Sequence, residues 1–193
     1  VMAEHDAYIA AMRNAGVDVT ILAPLEAFPD SIFVEDTALV FTEGAILLRP
    51  GTASRVDETV EIAGALRDMF NNVLELPVPG HADGGDVMYT PKCVLIGLSA
   101  RTDKVGAEAL VSCIDKLGAK AKIVATPEGV LHFKTASSLV DEETVISTAR
   151  LAETGVFEGF RQIIVPEGEE GAANVLRVND VVMVGANYPR TIE

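Results

Sequence analysis

Four β-hairpin signatures recur along the chain, each made of two short apolar runs joined at a polar turn. Residues 37–42 turn at Glu43-Gly44 into 45–49, and residues 86–90 turn at Pro91-Lys92 into 93–97. Residues 138–140 turn near Glu142-Glu143 into 144–148, and residues 174–178 turn at Asn179-Asp180 into 181–184. The first three turns lie about 50 residues apart and the fourth about 37 further on, periods typical of arrays and propellers. A hairpin cannot bury its apolar face alone, so each unit must pack on its neighbours.

The spacers complete the unit. Val60, Ile62, Ala63, Leu66, Met69 and Phe70 form one helical stripe, and Ala107, Ala109, Leu110, Cys113, Ile114 and Leu117 form another that Gly118 stops. Apolar strands follow at 73–76 and 121–124. The repeating unit is therefore strand, turn, strand, helix, strand, and the fold class is α/β. Ahead of the first hairpin, a helix from Tyr8 to Asn14 feeds a strand-like run at 17–22. That front fragment lacks a hairpin, and the last hairpin lacks its helix and strand. The expected object is a cyclic array, incomplete at both ends.

Composition bounds the partners. The 15 Lys and Arg against 29 Asp and Glu give a net charge of −14, which argues against a nucleic-acid groove or an anionic membrane anchor. With 49% hydrophobic residues the chain can bury a core, yet no apolar run approaches the roughly 20 residues of a membrane span. Two cysteines, Cys93 and Cys113, exclude a disulfide scaffold. The absence of a signal sequence favours the cytoplasm, although a chain opening on Val1 is expected to have lost its native start.

The loops that enter the hairpins are where such an array carries its chemistry. The first holds Asp30, Glu35 and Asp36 among Phe28, Pro29, Ile32, Phe33 and Val34, an apolar setting for three carboxylates. The second reads His81-Ala82-Asp83-Gly84-Gly85-Asp86, and the third Leu131-His132-Phe133-Lys134-Thr135. A histidine in register with two acidic loops faces a shared cleft and is the natural general acid/base. Arg55 and Arg101 follow the first two hairpins. Carboxylates at one end and arginines at the other suit an amino acid with a cationic side chain. Metal binding by Asp30, Glu35, Asp36, Asp83, Asp86 and His132 is the competing chemistry, although no compact ligand motif is present.

The ordered set of motifs resembles the dimethylarginine dimethylaminohydrolases. It comprises the acidic loop 28–37, Asp83-Gly84-Gly85-Asp86, Ser99-Ala100-Arg101-Thr102, Leu131-His132-Phe133-Lys134-Thr135, the segment 170–174 and Tyr188-Pro189-Arg190-Thr191. The resemblance implies the pentein fold, a five-bladed α/β propeller of ββαβ units, with residues 1–193 a single truncated catalytic domain. It implies hydrolysis of Nω-methylated arginine to citrulline and a methylamine through a cysteine adduct, with no cofactor and no metal. His132 would then be the acid/base, Asp83 would hold the guanidinium beside it, and Glu35 and Asp36 would bind its nitrogens. Asp30 would take the α-amino group, Arg55 and Arg101 the carboxylate, and Phe33 would wall the pocket.

Neither Cys93 nor Cys113 matches the family's nucleophile position, so the cysteine is expected outside this chain. The resemblance leaves a homodimer open, with a small guanidino amino acid as the partner molecule and neither nucleic acid nor membrane. The alternatives are an arginine- or agmatine-deiminase type of enzyme, a non-catalytic amino-acid-binding fragment, and a metal-dependent hydrolase.

Overall fold

A computed structural model describes residues 2–193. Helix α1 (Met2–Asn14) opens the chain. The first unit comprises β1 (Ala38–Phe41), β2 (Gly44–Leu47), α2 (Glu58–Met69) and β3 (Val73–Glu75). The second has β4 (Val87–Tyr89), β5 (Val94–Leu98), α3 (Lys104–Lys116) and β6 (Ala121–Ala125). The third has β7 (Ser137–Leu139), β8 (Thr144–Ser147), the single turn α4 (Ala149–Ala152) and β9 (Arg161–Ile164). The hairpin β10 (Leu176–Val178) and β11 (Val181–Met183) and the turn α5 (Pro189–Ile192) end the chain.

Each complete unit has one topology. The hairpin pairs antiparallel, and its second strand pairs parallel with the strand after the helix: β1-β2-β3, β4-β5-β6 and β7-β8-β9. A parallel return needs a crossover, which the helix supplies. These sheets and the two-stranded β10-β11 are separate and do not close on one another. The fold is α/β, built from the ββαβ unit expected from the sequence.

Strand alternation explains how the units hold together. Successive side chains on a strand point to opposite faces. On β5, Val94 and Ile96 therefore join the core shared with the first unit, which holds Leu39, Ile46, Leu48, Leu110 and Ile114. Leu95 points the other way, into a core with Val145, Phe133, Leu151 and Phe157 of the third unit. On β8, Val145 belongs to that second core and Ile146 to a third, with Val165, Ala172, Ala173 and Val175. Central strands buried on both faces read as unbroken apolar runs, which is why the second strand of each of the first three hairpins is the easier one to find.

Two elements differ from expectation. The run 17–22 forms no strand, because among the described residues no neighbour pairs with it. Strand β9 is not among the expected strands, although Ile163, Ile164 and Val165 form a short β-branched run; all four of its residues are exposed. At the far end of the chain, Asn179 in the β10–β11 turn donates to the Ala15 carbonyl at 2.8 Å. The last hairpin thus lies against the end of α1.

Candidate active site

The three hairpin-entry loops all fold as short 3-10 turns: Val34–Asp36, Gly84–Asp86 and Phe133–Thr135. The second turn packs against both of the others. Two glycines make the approach. A Cβ on Gly84 would sit 1.8 Å from the Glu35 carbonyl oxygen, and a Cβ on Gly85 would sit 2.9 Å from both Asp36 Oδ1 and His132 Cγ. Only hydrogen at those positions lets the loops touch. The second loop is itself fixed from α3. Asp103 caps that helix by accepting from Gly106 N at 2.6 Å, and Gly106 packs directly on the His81 carbonyl.

The result is a convergence of Asp36, Asp83 and His132, one ligand atom from each lying within 4.8 Å of the others. Asp36 and Asp83 are buried and His132 is nearly so. Asp83 Oδ1 accepts from Gly51 N at 2.7 Å, while its Oδ2 is buried without a hydrogen-bond partner. Burial raises the Asp83 pKa, the Gly51 N–H offsets part of that, and Asp36 adds to it; the carboxyl is pushed up to about 6. Burial works against charge on His132. The hydrogen bond to Asp86 and the charges of Asp86, Asp36 and Asp83 outweigh it, so its pKa lies above the ordinary value. Such a trio can hold a cation, whether a metal ion or a guanidinium.

The register of the loops is finer than the sequence suggested. His132 and Asp83 occupy the residue just before their turns, level with Phe33, whereas Asp36 and Asp86 occupy the last residue of theirs. The structure gives His132 a partner that sequence reasoning assigned no such role: His132 Nδ1 lies 3.3 Å from Asp86 Oδ2. The signal was present, since Asp86 stands immediately before its hairpin as Asp36 does.

The expectation for Arg55 changes. Its guanidinium is buried and turned inward, 2.6 Å from Asp36 Oδ2 and 2.8 Å from Glu58 Oε2, and it also donates to the Asp30 and Phe33 carbonyls. Burial opposes the charge, but hydrogen bonds to Glu58 and Asp36 more than offset it and hold the pKa above its ordinary value. Two buried carboxylates already match this cation. It fastens the acidic loop at its base and aims Asp36, rather than standing open to a ligand carboxylate. Sequence reading missed Glu58, which looks like an ordinary acid at a helix start but is almost fully buried.

The remaining predicted residues lie at the rim. Asp30 and Phe33 are exposed. Glu35 is exposed and pairs with Lys134 at 2.7 Å. Arg101 is half-buried, and its backbone packs on Gly51, the residue that binds Asp83. Cys113 lies in the core beside Leu110 and Ile114, where burial pushes its thiol up, and neither it nor Cys93 belongs to the cluster.

The arginine deiminase family model matches residues 23–178. A dimethylarginine dimethylaminohydrolase from Pseudomonas aeruginosa is 37% identical over 98% of this chain and 75% of its own length. The chain belongs to this family. A Streptomyces coelicolor relative of the same name is 34% identical over 98% of this chain and 72% of its own. A solved structure of the Pseudomonas enzyme, a cysteine-to-serine variant complexed with citrulline, superposes with a TM-score of 0.95, at 36% identity, over 98% of this chain and 74% of that one. An amidinotransferase of saxitoxin biosynthesis from Microseira wollei shares the fold, with a TM-score of 0.87 at 14% identity over 99% of this chain and 73% of that one. Among the described residues no helix is long and apolar enough to cross a membrane.

Proposed function

We propose that this chain supplies the guanidinium-binding and acid/base groups of a hydrolase that converts Nω-methylated L-arginine to L-citrulline and a methylamine. The observation that carries this reading is the convergence of Asp36, Asp83 and His132 from three successive units, in a chain 37% identical to a dimethylarginine dimethylaminohydrolase. A guanidinium presents planar N–H donors, and carboxylates accept them in pairs. Asp36 and Asp83 bind two edges of that plane. Glu35 at the rim adds a third acceptor once Lys134 releases it, Asp30 takes the α-amino group, Arg101 takes the α-carboxylate, and Phe33 covers the aliphatic stem.

The chemistry follows from charge. A thiolate attacks the guanidinium carbon and forms a C–S bond. His132, protonated, gives its proton to the methylated nitrogen as the C–N bond breaks and the amine departs. Water is then deprotonated by His132 and attacks the adduct; the C–S bond breaks, and citrulline and the thiolate are released. A raised His132 pKa favours the protonated form needed for the first step. Neither cysteine of this chain is at the cluster, and we assign the thiolate to a segment outside the 193 residues. The contact between the last hairpin and the end of α1 supports a ring arrangement of five units, of which this single domain contributes most.

The test is citrulline and amine formation by the enzyme carrying its cysteine segment, across dimethylarginine, arginine and agmatine. A preference for arginine or agmatine would move the assignment to a deiminase. Binding of arginine without turnover by any of the three would leave a binding module.

A further inference from the structure

We propose that His81 and Arg49 are positioning residues for Asp83: the imidazole, held by Arg49, grips the Pro50 carbonyl and so aims the Gly51 N–H at the Asp83 carboxylate. The inference rests on the reading of Asp83 as a ligand of the guanidinium.

Asp83 depends on one donor. Gly51 N lies 2.7 Å from its Oδ1, and its buried Oδ2 has no hydrogen-bond partner. The Gly51 N–H is one end of a peptide whose other end is the Pro50 carbonyl. A peptide is planar, so fixing the oxygen fixes the direction of the N–H. His81 Nδ1 lies 3.2 Å from that oxygen. A Cβ on Gly51 would sit 2.3 Å from the Arg101 carbonyl oxygen, so the Arg101 backbone closes on the same peptide at its glycine end.

Only one protonation pattern of the His81 ring fits its neighbours. A carbonyl only accepts, and a guanidinium only donates. Nδ1, facing the Pro50 carbonyl, therefore carries a proton, and Nε2, 3.3 Å from Arg49 Nη1, accepts. Arg49 is committed to this place. The same Nη1 donates to the Pro79 carbonyl at 2.9 Å, and the Arg49 carbonyl accepts from Ala82 N at 2.9 Å. Among the described residues no carboxylate pairs with its guanidinium. In a chain with 29 Asp and Glu, an arginine given only neutral acceptors ties loops together.

The His81 backbone is pinned from the start of α3. Asp103 Oδ2 accepts from His81 N at 3.2 Å, and Asp103 N donates to the His81 carbonyl at 3.1 Å. The ring thus reaches the Pro50–Gly51 peptide from a fixed base. Arg55 aims Asp36 directly; His81 aims Asp83 through one peptide.

The experiment is NMR of the intact enzyme with 13C on proline carbonyls and 15N on glycine amides. Within these residues only Pro50-Gly51 and Pro79-Gly80 carry both labels on one peptide, and Gly80 is recognised by its loss in Pro79→Ala. His81→Phe keeps a ring and removes its donor and acceptor. The Gly51 proton signal should then move upfield as its hydrogen bond to the carboxylate lengthens. KM for dimethylarginine should rise about tenfold, with kcat changed less than about threefold. His81→Gln, whose amide offers both a donor and an acceptor, should restore the Gly51 signal and bring KM within about threefold of wild type. A residue that only filled space would be replaced better by Phe than by Gln.

A Gly51 signal and KM unmoved in His81→Phe, or a Gln variant no better than the Phe variant, overturns the inference. Where His81→Phe does not fold, 15N NMR of the wild-type histidines decides: neutral His81 should be the Nδ1–H tautomer, and an Nε2–H tautomer overturns the inference. Both NMR readings are made without turnover. A Gly51 signal that moves as expected in an enzyme forming no citrulline contradicts the proposed function alone. An active enzyme whose Gly51 signal ignores His81 contradicts this inference alone.

Discussion

Asp83→Asn should make the protein more stable and the enzyme worse. In the native state the Asp83 carboxyl is pushed up to about 6 from an ordinary 3.8, mainly by burial. In the unfolded chain it ionises at its ordinary value. Between those two pH values the native state holds the proton and the unfolded chain has lost it, so stability falls as pH rises from about 4 to about 6 and stays reduced above that. At roughly 1.4 kcal/mol per pH unit of pKa difference, the penalty at pH 8 is at most about 3 kcal/mol.

An asparagine keeps the acceptor for Gly51 N and removes the buried charge. His132 works in the opposite sense. Its raised pKa contributes stability at low pH that is lost as pH rises through the folded value, and removing Asp83 weakens that contribution. The variant should therefore gain nothing, or lose slightly, near pH 4 and gain about 2 to 3 kcal/mol at pH 8. Urea unfolding at the two pH values reads this directly. With a slope of about 2 to 3 kcal/mol per molar, the midpoint should rise by about 1 M at pH 8 only. A variant less stable than wild type at pH 8, or a difference that does not change with pH, would refute the reasoning.

Four further outcomes follow from the same geometry. Arg55→Ala leaves Asp36 and Glu58 buried without their cation and should cost about 3 to 5 kcal/mol, read as a lower urea midpoint. Gly84→Ala places a methyl group on the Glu35 carbonyl and should abolish citrulline formation while circular dichroism shows the sheets intact, because the cores between units lie elsewhere. Lys134→Ala frees Glu35 and should tighten arginine binding by a few tenths to about 1 kcal/mol at low salt, measured by calorimetry. Exhaustive chelation should leave activity unchanged; its loss, with recovery on adding a divalent ion, would favour the metal reading of the same trio.

The hairpins were legible in the sequence because alternation and turn residues are local properties. The run 17–22 alternates just as well yet forms no strand, since a strand exists only with a neighbour to bond. The site was legible as far as charge and register go: acids and a histidine at hairpin entries led to Asp36, Asp83 and His132. The roles of Arg55 and Asp86 were not, because their partners are defined by folding. Glu58 stands three residues after Arg55 and reads as a helix-start acid, and Asp86 is anchored by Ser99 and Thr102 from a different loop. The glycines at 84 and 85 signalled a close approach but not what would approach.

The central claim is that this cluster binds a methylated guanidinium and that His132 moves the protons. It is tested most directly by citrulline released from Nω,Nω-dimethyl-L-arginine, comparing the intact enzyme with its His132→Ala variant at one pH. The account predicts citrulline and dimethylamine in equal amounts from the wild type, and a rate lower by about 100-fold or more in the variant. No citrulline from the wild type, or an undiminished rate in the variant, would contradict it.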